Sequence, residues 1–337
     1  MTSLVDLINN SHYDIYYLVV DKNLDIDLPN LKYFYKIYLP DGETKNSGHL
    51  LSLKNTQQFI IENSKKNNHL PAILPFKPSA KIDKICENNA WLNLSNPAHL
   101  NRFIEDKVKF YKFCKKENLP VIASNIDTFN KNNFDKYSKG LPLVIQTHFG
   151  WAGNSTFLAN NYDDIKEKIS ENILVKYSPF LDGLTYTNNC CLTQYGLLQS
   201  PPALQLNQGF STVGRVWPSK LSEQQYVDIV KITNDFGKSL CLLHYRGYFG
   251  LDFIINNENI YLLECNPRLT ASFAFYHLLE EKNNINSLFY YHLLELLDIP
   301  YNLNILNEQK RVVVPIKGSE KTPRDISNQI IEKIHEI

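Results

Sequence analysis

Apolar and polar positions alternate along the chain with two periods. Tyr13–Val20 is an apolar run that predicts a buried strand. Tyr33–Leu39 predicts a second strand. Ala72–Leu74, with Pro71 and Pro75 on its two sides, predicts a short third. Between them, Asn55–Asn63 brings Phe59, Ile60 and Ile61 to helical spacing. Strand and helix alternating over residues 1–98 predict a small open α/β domain. It lacks the G-x-G-x-x-G of a dinucleotide fingerprint.

Further on, Glu105–Asn118 reads as one amphipathic helix on Val108, Tyr111 and Phe113, stopped by Pro120. Pro142–Thr147 predicts a strand, and Thr156–Ala159 the strand returning from a loop over His148–Thr156. Ile173–Tyr177 predicts another strand. Asn188–Leu198 reads as a single strand on which Cys190 and Cys191 face opposite ways. Gln208–Arg215 reads as a loop with one basic residue. Ser222 and Gln225 form a capping box that opens a helix running through Val227, Val230, Phe236, Leu240 and Leu243 to a stop at Gly247. His244 and Arg246 fall in its last turn, where cations suit the helix dipole. Phe273–Leu297 is a long helical stretch with a break near Asn283-Asn284, and Pro300 ends it. Arg311–Ile316 predicts a last strand or edge segment, and Lys321–Ile337 a polar helix.

The segment richest in chemistry is Gly247–Ser272. Tyr248–Ile255 and Ile260–Leu263 are two short apolar runs joined by Asn256-Asn257-Glu258-Asn259, which together predict a β-hairpin. Alternation puts Asp252 on one face with Gly250 and Ile254. Glu264 ends the second strand and Asn266 follows two residues later. Three oxygen ligands, Asp252, Glu264 and Asn266, then converge at a strand end. Two carboxylates and an amide oxygen suit a hard divalent cation that keeps sites for water and phosphates. On spacing alone, a metal-free polar strand end is an equally good reading.

Composition narrows the field. Over 337 residues the formal net charge is zero, with 35 basic and 35 acidic residues. This gives no electrostatic case for a nucleic-acid or anionic membrane partner. The six cysteines show no C-x-x-C pair and predict reduced thiols in a cytoplasmic protein. No apolar run approaches the ~18 residues of a membrane helix.

Gly-x-x-Gly-Leu-Asp-Phe followed by Leu-Leu-Glu-Cys-Asn-Pro-Arg-Leu-Thr resembles the metal-binding core of the ATP-grasp ligases, and the Asn-Pro-Arg-Leu-Thr-x-Ser ending most resembles their small-molecule carboxylate–amine members. The resemblance covers roughly residues 100–300. It implies an α/β (α+β) fold: an N-terminal α/β domain over 1–98, then two α+β subdomains sandwiching ATP over 99–300, with a lid at about 120–175 and an extension over 301–337. It implies ATP as nucleotide and one or two Mg2+, or Mn2+ in their place, held by Asp252, Glu264 and Asn266.

The same resemblance implies roles for single residues. Lys107, ahead of Leu119-Pro120-Val121, stands where a lysine reaches the ATP phosphates. Gly150, Gly153, Asn154, Ser155 and Thr156 stand in the phosphate-covering loop. Lys176, Tyr177, Ser178 and Phe180 stand in the adenine hinge, where backbone groups pair with the base. Arg268 and Arg215 are the candidate catalytic cations, for the transferred phosphoryl group or a substrate carboxylate. Two positions depart from the family pattern. Gln146 replaces a second lysine, with His148 nearby as a partial substitute, and Thr185 replaces an acidic ribose contact.

The implied activity is ATP-dependent joining of a small-molecule carboxylate and an amine, amino acids or peptides among them, through an acylphosphate. ADP and phosphate are released. A nucleotide-binding module without catalysis and a biotin-carboxylase-like subunit are the alternatives, and a homodimer fits the family.

Overall fold

The structure is a computed structural model that describes residues 3–21, 24–43, 46–150 and 154–302. Gly153 and the segments over 311–316 and 321–337 lie outside these residues.

The chain opens with α1 (Leu4–Asn9), β1 (Tyr13–Val19), β2 (Phe34–Tyr38), α2 (Ser47–Ser52), α3 (Lys54–Asn67), β3 (Leu70–Pro75), α4 (Ala80–Asn89) and β4 (Leu92–Asn93). The strands form a parallel sheet in the order β2-β1-β3-β4. Such sheets need cover on both faces, and β1 is buried along nearly its whole length. Tyr16, Leu18 and Ile73 pack on one side with Leu50, Leu51, Ile60 and Ile82. Tyr17, Val19 and Leu74 pack on the other, within a core shared with Tyr248, Leu269, Phe273, Phe289 and Leu293. The first sheet is thus bonded through its second face to the end of the chain.

Next come α5 (Ala98–Glu105), absent from the predicted elements, and α6 (Lys107–Lys116), which falls within the helix predicted over Glu105–Asn118; the two are separated at Asp106. The break is chemical. The Asp106 carboxylate accepts from Val108 N and Lys109 N, both at 3.0 Å, and caps a new helix. Lys107 therefore stands in the first turn of α6, beside the cap.

A second sheet is built from β5 (Asn125–Thr128), β6 (Leu143–Gln146), β7 (Thr156–Ala159) and β8 (Leu174–Pro179), in the order β5-β8-β6-β7, with α7 (Lys131–Tyr137) after β5. It is antiparallel throughout. Its own small core gathers Phe129, Phe134, Ile145, Ile165, Val175 and Tyr177.

The third sheet holds β9 (Leu184–Thr193), β10 (Gly196–Gln199), β11 (Ala203–Gln208), β12 (Ser211–Val216), β13 (Gly247–Asn256) and β14 (Asn259–Asn266), in the order β12-β11-β9-β13-β14 with β10 beside β9. Two predictions are corrected here. Residues 188–198 are not one strand: the chain turns at Gln194-Tyr195, and Gly196 takes the positive φ that the turn requires. Residues 208–215 are not a loop: β11 and β12 pair through a turn at Gly209-Phe210, which puts Arg215 on a strand opposite Gln205.

α8 (Glu223–Leu242) begins on the predicted Ser222–Gln225 capping box, but it ends before Gly247. His244 supplies the left-handed turn at φ 57°, and Gly247 opens β13 instead. A Cβ on Gly247 would come 2.5 Å from His292 Nδ1, so this position is needed for close approach as well as for its φ of 84°. The final helical stretch splits at Asn283-Asn284 into α9 (Phe273–Lys282) and α10 (Leu288–Leu296). Cys190 and Cys191 do face opposite ways, into separate cores. No helix among the described residues is long and apolar enough to cross a membrane.

Candidate nucleotide and metal site

β13 and β14 carry the acids. Phe249, Leu251 and Phe253 turn one way, into a core with Ile229, Phe236 and Leu240 of α8 and Phe110 and Cys114 of α6. Asp252 and Ile254 therefore turn the other way. On β14 simple alternation would put Leu262 and Glu264 on one face, a conflict between core and charge. A β-bulge resolves it: Asp252 pairs with Glu264 while Phe253 pairs with Leu262, leaving Leu263 as the extra residue. Leu262 and Cys265 stay in the core, whereas Leu263 and Glu264 line a cleft with Asp252 and Ile254.

That cleft, about 340 Å³, lies between the second and third sheets. The size is within the usual range for small-molecule sites. Val144, Gln146, Lys176 and Ser178 form one wall, and Thr185, Gln205, Asn207 and Thr212 the other. Phe180 to Gly183 connect them, and Lys107 reaches in from α6.

The charged groups are arranged in a short chain. Lys107 Nζ lies 3.2 Å from Glu264 Oε2. Asn266 Nδ2 donates to Asp252 Oδ2 at 3.3 Å and approaches Glu264 Oε1 at 3.5 Å. Gln205 Nε2 donates to Asp252 Oδ1 at 2.9 Å. Burial, and next the charge of Glu264, push the Asp252 carboxyl up from its ordinary range. Burial also pushes Glu264 up, yet Lys107 beside it holds it below the ordinary value. Glu264 keeps 37% of its side chain open, so water in the cleft tempers these effects. Two facing carboxylates with one of them starved of positive charge fit a divalent cation.

The amide does not yet fit it. Asn266 Oδ1 accepts from Arg268 Nη2 at 2.9 Å, so the nitrogen, not the oxygen, faces the acids. Ligation by Asn266 requires the amide to turn over and release Arg268.

One of the two candidate catalytic cations lies elsewhere than expected. Arg268 does not line the nucleotide cleft. Its Nε donates to Glu105 Oε1 at 2.8 Å and its guanidinium lies over the Phe76 ring. It borders a second cavity of about 410 Å³, set between the first sheet and α5, with Leu24, Phe76, Asn101 and Phe149. Arg215, 5% exposed, sits on β12 directly opposite Gln205 and so on the cleft side of the sheet, where its charge lowers the Asp252 carboxyl.

In the second sheet, strand alternation decides which predicted residues face the cleft. Lys176 and Ser178 face it; Tyr177 does not. The Tyr177 ring packs against Tyr137 and its hydroxyl donates to Thr128 O, leaving only its backbone beside the cleft. The Lys176 side chain itself enters the cleft, beyond the backbone role expected of this stretch. Gly150 and Thr156 line the cleft, Ser155 is buried beside Gly150, and Asn154 is exposed. His148 does not stand in for a lysine at Gln146: its Nδ1 sits 2.8 Å from Asp106 Oδ2. Thr185 lines the cleft and accepts from Asn207 Nδ2 at 2.6 Å.

Residues 104–272, half of the chain, match the family model described as the ATP-grasp domain. The protein belongs to the ATP-grasp family. Its fold is the ATP-grasp fold, as solved structures also indicate. Carboxyaminoimidazole ribonucleotide synthase from Aspergillus clavatus, complexed with ATP, aligns at TM-score 0.62 and 13% identity, over 86% of this chain and 78% of that one. The biotin carboxylase–βγ-ATP complex from Campylobacter jejuni aligns at TM-score 0.65 and 13% identity, over 86% and 67%. Among curated proteins, the arginine-specific carbamoyl phosphate synthase large chain of Halalkalibacterium halodurans is 22% identical over 182 residues, 50% of this chain. This chain spans only 17% of that relative's length.

Proposed function

We propose that the protein is an ATP-dependent carboxylate–amine ligase. One observation carries this reading: a single side chain links, by hydrogen bonds, a lining residue of each of two cavities. Asn266 donates toward the acids of the nucleotide cleft on one side, and accepts from Arg268, which borders the second cavity, on the other. A γ-phosphate at the acid end of the first cleft would lie next to an acceptor in the second. The ATP-bound structural relative and the family membership support nucleotide as the first ligand.

A carboxylate is a poor electrophile at neutral pH. In the proposed reaction its oxygen attacks the γ-phosphorus and the bond to ADP breaks. An amine then attacks the acyl carbon of the acylphosphate, phosphate leaves with the bonding electrons, and the amine loses a proton. The chain's part is to hold the two reactants in line and to offset the charge on the transferring group. Lys107 does so from the nucleotide side and Arg268 from the acceptor side. Asp252 and Glu264, joined by Asn266 once its amide has turned, would hold Mg2+ or Mn2+, which would supply positive charge against the phosphates.

Product analysis tests the reading: ADP and phosphate should appear only when both an acid and an amine are supplied, and AMP with pyrophosphate would exclude it. Arg268→Ala should slow ADP formation by about 10²-fold while leaving calorimetric MgATP affinity in place, because Arg268 lies outside the nucleotide cleft. Equal loss of both would break the link between the second cavity and transfer. A module that binds nucleotide without turnover is the second reading, favoured by the neutral Gln146 and by the Asn266 amide, whose oxygen faces Arg268 rather than the acids. MgATP binding with no product on any acid–amine panel would establish it.

A further inference from the structure

We propose that Lys176 is a phosphate-binding residue of the nucleotide cleft, and that it carries from β8 the positive charge that the neutral Gln146 cannot carry from β6. The proposal rests on the nucleotide reading of the cleft and assigns Lys176 to the phosphate chain rather than to the base.

Gln146 and Lys176 are direct partners in the β6–β8 ladder, and both side chains line the cleft. Directly opposed residues of an antiparallel pair have Cβ atoms about 5 Å apart. A long side chain from either position therefore reaches the same point in the cleft. Among the described residues, Lys107 and Lys176 are the cations that line it. His148, on the loop after β6, is turned onto Asp106, and Arg215 lies across the sheet beside Gln205 and acts on Asp252.

Lys176 is 8% exposed. Among the described residues no carboxylate comes within ion-pair distance of it, unlike Lys107, which has Glu264. Its ammonium instead lies 5.9 Å from the centre of the Tyr111 ring, and Lys107 is near enough to repel it. A cation kept largely out of water, beside another cation and with no acid in contact, is costly to the protein alone. An anion entering the cleft removes that cost. Burial first, and Lys107 second, lower the Lys176 ammonium to about 8, in keeping with a group short of negative charge. A phosphate chain running past Lys176 and Lys107 toward Asp252 and Glu264 would meet both cations before reaching the acids.

The test is calorimetry with MgATP and with adenosine, which has the base and sugar but no phosphate, alongside thermal unfolding of the ligand-free protein. Lys176→Gln should weaken MgATP binding by about 10–100-fold, leave adenosine binding unchanged, and leave the ligand-free protein as stable as before or more so. The reciprocal exchange, Gln146→Lys with Lys176→Gln, should recover most of the lost MgATP affinity. Unchanged MgATP binding in Lys176→Gln overturns the proposal. So does an equal loss for adenosine, which marks a base contact. A destabilised or unfolded Lys176→Gln protein marks a structural lysine and overturns it too. Failure of the exchange to recover affinity rejects the cross-strand substitution. A wild-type protein that binds neither ligand rejects the nucleotide reading itself, a different result from any of these.

Discussion

Asp252→Asn is expected to slow ADP formation by about 10²–10³-fold while the protein remains folded. Asp252 and Glu264 face each other across the bulged end of β13–β14, and burial and then the charge of Glu264 raise the Asp252 carboxyl above its ordinary range. Removing its charge relieves repulsion in the ligand-free protein, so thermal stability should hold or rise. The same change removes one of two carboxylates for a divalent cation. The cation then binds less well, and the charge of the transferring phosphoryl group goes without its principal counter-charge. Steady-state ADP release and a thermal melt on the same preparation check both halves. Full activity would remove Asp252 from the site. Lost activity with a collapsed melt would make it a structural residue.

Phe236→Ala is expected to lower the free energy of unfolding by about 3–5 kcal/mol, the usual cost of truncating a buried phenylalanine. Phe236 is fully buried on α8, with ring centroids 5.9 Å from Phe110, 6.0 Å from Phe113 and 6.1 Å from Phe249. Phe110 and Phe113 lie on the helix that begins at Lys107, and Phe249 on the strand that carries Asp252. The cavity left by Ala would therefore loosen the contact that fixes the distance between cation and acid. Denaturant titration measures the stability loss. A change below about 1 kcal/mol would mean that the site elements do not depend on this aromatic cluster.

Much of this site is legible in the sequence for physical reasons. The hairpin could be read because period-two alternation and an Asn-rich turn are both local. Lys107 could be placed because an amphipathic stretch announces a helix, and the long C-terminal helix could be broken at Asn283-Asn284 for the same kind of reason. What escaped reading depends on partners distant in sequence. The bulge at Leu263 exists because Leu262 and Cys265 both belong to a core built with α8 and α6. The phase of β8, which sends Lys176 into the cleft and Tyr177 away from it, is set by the core of the second sheet. Asn266 turns its nitrogen to the acids because Arg268 takes its oxygen, and Arg268 is held by Glu105 from another helix. The strand β12, Ser-Thr-Val-Gly-Arg-Val, lacks the apolar alternation that would mark it, and β11 offers only the short alternation of Leu204 and Leu206 with Gln205 and Asn207. Asp106 looks like one more polar residue of a helix until its carboxylate is seen capping the next one.

Crystals grown with Mn2+ and a non-hydrolysable ATP analogue would test the site directly, through the anomalous scattering of the metal. The peak is expected between Asp252 and Glu264, coordinated by both carboxylates and by phosphate oxygens, with the Asn266 amide turned to offer its oxygen. A nucleotide bound elsewhere, or a metal peak out of reach of these two carboxylates, would contradict the account.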